Sequence, residues 1–149
     1  MRHVKYGRCV KCGKTYEAVP DLTTCQCGGI LDIVYDYDYI KSVFTKETLK
    51  NRQNFTMWRY RELLPVEDTT PDPPLRVGWS PLYRADRLAQ ELGIARLYVK
   101  DDGLNPTASL KDRASAMAVA KAREAGAKVI ACCSTGNAAS SLARNAPAA

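Results

Sequence analysis

The 149-residue chain is 46% hydrophobic and 26% charged, a balance that excludes wholesale disorder and collagen-like or mucin-like structure. Lysine and arginine outnumber aspartate and glutamate by 22 to 16 with no run of five like charges, and RNP aromatics and GxxG clamps are missing. Its net charge of +6 therefore suits phosphate-bearing small molecules better than nucleic acid. No stretch approaches the roughly 20 apolar residues of a membrane helix, and the start MRHVKYGRCVKCGK lacks a secretory apolar core, so a soluble, cytoplasmic protein is expected.

Residues 1–40 hold four of the six cysteines, as Cys9-Val-Lys-Cys12-Gly13 and Cys25-Gln-Cys27-Gly28-Gly29, with 12 residues between the pairs. Four thiolates at this spacing can surround a tetrahedral Zn²⁺, and the glycines permit the tight turns that such a ribbon needs. A cytosolic setting disfavours disulfides. With all four positions supplied by protein, the metal would be structural. Reduced cysteines of a ribbon that has lost its metal, and an iron centre of rubredoxin type, remain alternatives.

Residues 41–81 read as a linker. Thr45–Arg52 and Trp58–Leu64 are candidate short helices, and five of the eight prolines fall in Pro65–Pro81, an extended connector with little regular structure. From residue 82 the text alternates helix-like and strand-like segments. Leu82, Ala85, Leu88, Ala89 and Leu92 predict a helix stopped by Gly93. Arg96–Lys100 predicts a buried strand, and DDGLNPTAS a polar loop. Ser109 is placed to cap a helix running to Gly126, with Asp112 in the capping-box position. Lys128–Cys133 predicts a second strand with Cys132 and Cys133 packed in the core, and Ser134–Asn137 turns into a last helix that Pro147 would end. This order predicts an α/β fold with a right-handed βαβ crossover in a parallel sheet. The chain's one histidine, His3, lies far in sequence from Cys132 and Cys133 and would have to serve from the N-terminal tail, which excludes Ser-His-Asp and Cys-His machinery.

The richest stretch is Asn105-Pro-Thr-Ala-Ser-Leu-Lys111-Asp112-Arg113. It sets a lysine in the first turn of a helix, past a loop on the carboxyl side of a strand, where open α/β sheets bind ligands. A helix N-terminus disfavours ammonium, so a lysine there tends toward the neutral amine that condenses with aldehydes. Arg113 and Lys100 are candidate helpers for phosphate groups, although helix-surface and sheet-edge roles suit them better.

These residues resemble the N-P-T-x-S-x-K-D-R motif of threonine synthases, pyridoxal-phosphate enzymes of the tryptophan synthase β-like fold. Gly78-Trp79-Ser80-Pro81-Leu82 is similar to the family's G-x-T-P-L element, and Ser134-Thr-Gly-Asn137-Ala-Ala-Ser140 to its asparagine loop. Ser80 departs from the usual threonine, and Leu110 replaces a common aromatic. A four-cysteine ribbon accompanies one branch of the family. The resemblance implies that Lys111 is the Schiff-base lysine and moves protons at substrate carbons. It implies that Asn137 hydrogen-bonds the phenolic oxygen of pyridoxal 5'-phosphate and that Ser134 and Thr135 hold the substrate carboxylate. Cys9, Cys12, Cys25 and Cys27 would ligate Zn²⁺.

The implied reaction converts O-phospho-L-homoserine and water to L-threonine and phosphate. In the family a glycine-rich phosphate cup follows the asparagine loop, and none is found before Ala149. The expectation is therefore a zinc-ribbon-like element over 1–40, a connector over 41–81, and the N-terminal part of the catalytic domain over 82–149. This would be a truncated or frameshifted product with little activity, and its full-length form a homo-oligomer. A related β- or γ-replacement enzyme such as cysteate synthase, and a non-enzymatic zinc-ribbon binding module, are the alternatives.

Overall fold

A computed structural model describes residues 1–19 and 22–149. The chain divides into two compact units, one of Met1–Asp72 with Ala120–Ile130 and one of Pro73–Val119 with Ala131–Ala149. No helix among the described residues is long and apolar enough to cross a membrane.

The first unit is built on a three-stranded antiparallel sheet of β1 (Val4–Cys9), β2 (Thr15–Tyr16) and β3 (Leu31–Tyr35), in the order β2-β1-β3. Cys9 pairs with Leu31 at one end of the β1–β3 ladder and Val4 with Tyr35 at the other, across an irregularity between Val4 and Tyr6. Helix α1 (Tyr37–Val43) follows β3 directly because Asp36 caps it, accepting from the Tyr39 N–H at 3.0 Å. Helix α2 (Lys46–Asn51) begins at a capping box of Thr45 and Thr48. A 3₁₀ segment, Met57–Leu63, starts at a Thr56 cap and is kinked at Tyr60. Both short helices expected between residues 45 and 64 are thus present.

The apolar core of this unit includes Ile40, Met57, Trp58 and Val66. His3 is buried beside it, stacked on Tyr35, with Nε2 donating to the Leu64 carbonyl at 2.8 Å. That bond gives the histidine a structural role. Past Pro65 the connector has no regular structure and is pinned by side chains instead. Arg61 donates to the carbonyls of Glu67 and Thr70 and to Asp72, while Glu124 accepts from the Glu67 N–H at 2.8 Å and from the Thr70 hydroxyl.

In the second unit, β4 (Leu82–Arg84) pairs antiparallel with β5 (Tyr98–Lys100), and helix α3 (Asp86–Glu91) lies between them in sequence. The helix expected from Leu82 is therefore shorter at its start, because Leu82–Arg84 find ladder partners in Tyr98–Lys100. Its end is as expected: Gly93 takes φ +66°, and the Ile94 N–H reaches back to the Ala89 carbonyl at 3.0 Å. Helix α4 (Lys111–Glu124) ends the same way at Gly126, and helix α5 (Asn137–Ala148) carries Pro147 inside its last turn instead of stopping before it.

The parallel sheet expected from the element order is absent: every strand pairing among the described residues is antiparallel. Lys128–Cys133 forms no strand, Val129 is 82% exposed, and Cys132 and Cys133 are exposed rather than packed in a core. An apolar run becomes a strand only where a neighbour accepts its ladder hydrogen bonds, and no described segment pairs with this one. The mixed α/β class holds.

Candidate functional site

The first candidate is the cysteine cluster at the end of β1. The Sγ atoms of Cys9 and Cys27 lie 3.5 Å apart, those of Cys12 and Cys25 3.6 Å apart, and all four fall within 4.8 Å of one another. A tetrahedron with metal–sulfur bonds of about 2.3 Å has edges of about 3.8 Å, so the set is sized for a thiolate-bound metal. Gly13 and Gly28 both take φ +76°, and their N–H groups close the turns onto the carbonyls of Cys9 and Cys25. Backbone amides also point at the sulfurs, that of Lys11 donating to Cys9 Sγ at 3.4 Å. Gly29 is needed for a different reason: a Cβ there would stand 2.5 Å from Cys9 Sγ.

The thiols of Cys25 and Cys27 differ in proton affinity. The Cys27 backbone N–H, with help from the Tyr16 hydroxyl 3.0 Å away, draws the Cys25 thiol down to about 6. Cys27 is pushed up to about 12, because the sulfurs of Cys12, Cys25 and Cys9 together outweigh the Gly29 amide that favours its thiolate. Four thiolates this close repel one another, so full deprotonation of the set requires a cation among them. Tyr16 carries no metal-ligand pattern in the sequence and was not expected at this site.

The second candidate is the lysine loop. Lys111 is the first residue of α4, its N–H bonded to Ser109 Oγ at 3.2 Å. Its side chain is exposed, and among the described residues no hydrogen bond or ion pair engages Nζ. Two side chains hold the loop ahead of it. Asn105 is buried, accepts from the Gly78 N–H at 2.9 Å and donates to the Asp102 carbonyl at 2.9 Å. Asp112 accepts from the Thr107 N–H at 2.7 Å and from its hydroxyl at 2.9 Å, so the expected capping box with Ser109 is replaced by a bond back into the loop. Between these anchors Ala108 is held at φ +55°, a left-handed conformation that a residue with a Cβ adopts reluctantly.

The three motif stretches meet in this unit. Gly78 bonds to Asn105, and Ser80 donates to Asp102, which also receives Arg113 through Nε at 2.9 Å and Nη2 at 2.8 Å. The Arg113 guanidinium, then the Ser80 hydroxyl, hold the Asp102 carboxyl well below the usual carboxylate range. Arg113 is thus engaged in a bidentate ion pair, and Lys100 donates to the Ser80 carbonyl. Neither is arranged as a phosphate helper here. Asp112 in turn accepts from Ser141 Oγ at 2.6 Å and from Asn145 Nδ2 at 3.2 Å on α5, the helix that Asn137 begins. Ser134, half-buried, accepts from the Gly136 N–H at 3.2 Å and shapes the turn, while Thr135 and Asn137 are exposed. No described bond joins Lys111 directly to Ser134, Thr135 or Asn137.

Asp102, Ser141 and Asn145 carry no role in the sequence reading because their partners, Ser80 and Arg113 for Asp102 and Asp112 for the other two, lie 11 to 33 residues away. Only the spacing of four between Ser141 and Asn145, opposite Asp112 and Ser115, carried a signal.

Comparison with known proteins gives this arrangement a context. The chain is 49% identical over 136 residues to a threonine synthase from Methanocaldococcus jannaschii, covering 91% of this chain and 33% of that protein. It is 44% identical over 144 residues to a threonine synthase from Methanosarcina acetivorans, covering 96% and 34%, and 52% identical over 91 residues to one from Synechocystis sp., covering 58% and 24%. The chain spans about a third of the length of the first two relatives. Residues 74–148, which contain all three motif stretches and every anchor of the lysine loop, match the family described as pyridoxal-phosphate dependent enzyme, and the chain belongs to that family.

Proposed function

We propose that this chain supplies the lysine-bearing part of a threonine synthase, which converts O-phospho-L-homoserine and water to L-threonine and phosphate. The observation that carries the reading is the Lys111 amine, exposed and unengaged at the head of α4, in a chain 49% identical to a threonine synthase. The finer fold that goes with it is the tryptophan synthase β-like domain over residues 82–149, preceded by a zinc ribbon over 1–40 and a connector over 41–81.

Bound pyridoxal phosphate supplies an electron sink for carbanions formed at the substrate's carbons. Lys111 Nζ would hold that group and, when released from it, carry protons between substrate carbons. The Asn137 amide would donate to its phenolic oxygen. Ser134 and Thr135, with the N–H groups that open α5, would hold the substrate carboxylate, since a helix N-terminus favours anions. Ser80, Asp102 and Arg113 orient the loop around the lysine. Cys9, Cys12, Cys25 and Cys27 would hold a structural Zn²⁺, a role supported by four sulfurs within 4.8 Å of one another, enough to fill a tetrahedral site.

The test is direct. Pyridoxal phosphate added to the 149-residue protein gives a visible absorbance that survives dialysis and vanishes in Lys111→Ala; no lysine-dependent signal would sink the reading. Phosphate release from O-phosphohomoserine exceeding that from phosphoserine, measured in a protein of the relatives' length, separates threonine synthase from cysteate synthase. Metal analysis of the purified chain should return one zinc per four cluster cysteines.

A further inference from the structure

Asp112 is the most deeply buried carboxylate of its unit, 0% exposed, and four neutral donors reach it. Oδ2 takes the Thr107 N–H, and Oδ1 takes the hydroxyls of Thr107 and Ser141 and the amide of Asn145. Ser115 Oγ, one turn along α4, lies 2.8 Å from Ser141 Oγ, and Asn145 also donates to the Ser141 carbonyl at 2.9 Å. A carboxylate removed from water is tolerated only while its donors stay in place, so the four bonds to Asp112 resist rearrangement.

The position of the cluster matters more than its stability. Thr107 belongs to the loop that presents Lys111, and Lys111 is the residue next to Asp112. On α5, Asn137, Ser141 and Asn145 recur every four residues and share one face, so Asn137 stands about 6 Å along the axis from the Ser141 anchor. One carboxylate therefore grips the lysine loop with one set of bonds and the asparagine helix with another. We propose that Asp112 is a positioning residue that fixes the register of Lys111 against Asn137. The proposal rests on the functional reading above, in which those two side chains address the same cofactor.

A purely structural aspartate would change stability alone, whereas a register device must also change what Asn137 does. The experiment uses the 149-residue protein with pyridoxal phosphate as the probe, in wild type, Asn137→Ala, Ser141→Ala, Asn145→Ala and the Asn137→Ala/Ser141→Ala double variant. It reads the pH midpoint of the Lys111-dependent absorbance, with borohydride reduction and peptide mapping to identify the lysine. Ser141→Ala should move the midpoint in the same direction as Asn137→Ala, by about half a pH unit or more, and add nothing in the Asn137→Ala background. An unmoved midpoint in Ser141→Ala and Asn145→Ala, or additive shifts in the double variant, overturns the proposal while the functional reading stands.

If wild type shows no Lys111-dependent absorbance, the functional reading fails, and with it the cofactor register. The clamp itself is then decided by amide hydrogen exchange without cofactor. Protection over 110–115 and 138–142 falling together, about tenfold or more in Ser141→Ala, supports a tie between loop and helix; unchanged protection overturns it. Asp112→Asn is the stronger perturbation, and the two α5 variants carry the test if it does not fold.

Discussion

Two glycines of the cysteine cluster do different jobs, and that difference can be measured. In Gly29→Ala the new Cβ would lie 2.5 Å from Cys9 Sγ and 2.8 Å from Lys11 Cβ. Non-bonded heavy atoms settle near 3.5 Å or beyond, so Cys9 and the Gly29 backbone must separate by about 1 Å. Metal–ligand distances tolerate about 0.2 Å, so the displacement is several times what the tetrahedron can absorb. Gly13→Ala meets nothing within 4 Å, and its cost is the φ of +76° alone, roughly 1–2 kcal/mol. In competition titrations with a chromophoric chelator, Gly29→Ala should weaken zinc binding by about 100-fold or more, equivalent to roughly 2.7 kcal/mol, and Gly13→Ala by about tenfold. Equal losses in the two variants, or a Gly29→Ala affinity within a few-fold of wild type, would refute the steric argument and the assignment of Cys9 as a ligand.

Three further outcomes test the rest of the scaffold. The Asp102 carboxyl is held low by Arg113 and then Ser80, so its stabilisation is complete above its unfolded value near 4 and is lost as pH falls through the lower folded value. The gap in melting temperature between wild type and Asp102→Asn should therefore narrow as pH drops from 5 toward 2, and a constant gap would count against the ion pair. Ala108→Gly removes a left-handed strain and should leave unfolding free energy unchanged or raise it by up to about 1 kcal/mol, whereas Ala114→Gly on the exposed face of α4 lowers it by about 1 kcal/mol; urea titrations compare the two. Glu124→Ala leaves the Glu67 N–H and the Thr70 hydroxyl without their acceptor and should cost about 1–3 kcal/mol in the same assay.

Local chemistry was readable in the sequence wherever one residue decides the outcome. Gly93 and Gly126 stop their helices because φ near +66° to +68° is open to glycine, and the two cysteine pairs converge because each is closed by its own glycine turn. Strands depart from the sequence expectation for the opposite reason. Leu82–Arg84 has helical spacing and becomes a strand because Tyr98–Lys100 pairs with it, while Lys128–Cys133 has strand composition and pairs with nothing described. Periodicity reports the face that an element would bury, not whether a ladder partner exists.

The candidate site illustrates the same limit on a finer scale. The motif singles out Lys111 as a candidate, but what presents it is a set of polar side chains with partners 26 to 33 residues away: Asn105 to the Gly78 N–H, and Asp112 and Ser115 to Ser141 and Asn145. Asp112 looked like a capping-box residue because its spacing from Ser109 is right for one. The structure spends that carboxylate on Thr107 and α5, and Ser109 caps the Lys111 N–H alone. The exchange has a physical logic. An exposed capping carboxylate stabilises one helix end by about 1 kcal/mol, whereas a buried one with four donors specifies how two helices and a loop meet, because any rearrangement strands a charge away from water. A lysine that meets both cofactor and substrate, the role proposed for Lys111, needs the second kind of support. Together with the loop's own backbone turns, in which the Asn105 N–H reaches the Asp102 carbonyl and the Ala108 N–H the Asn105 carbonyl, these side-chain bonds give it a defined conformation.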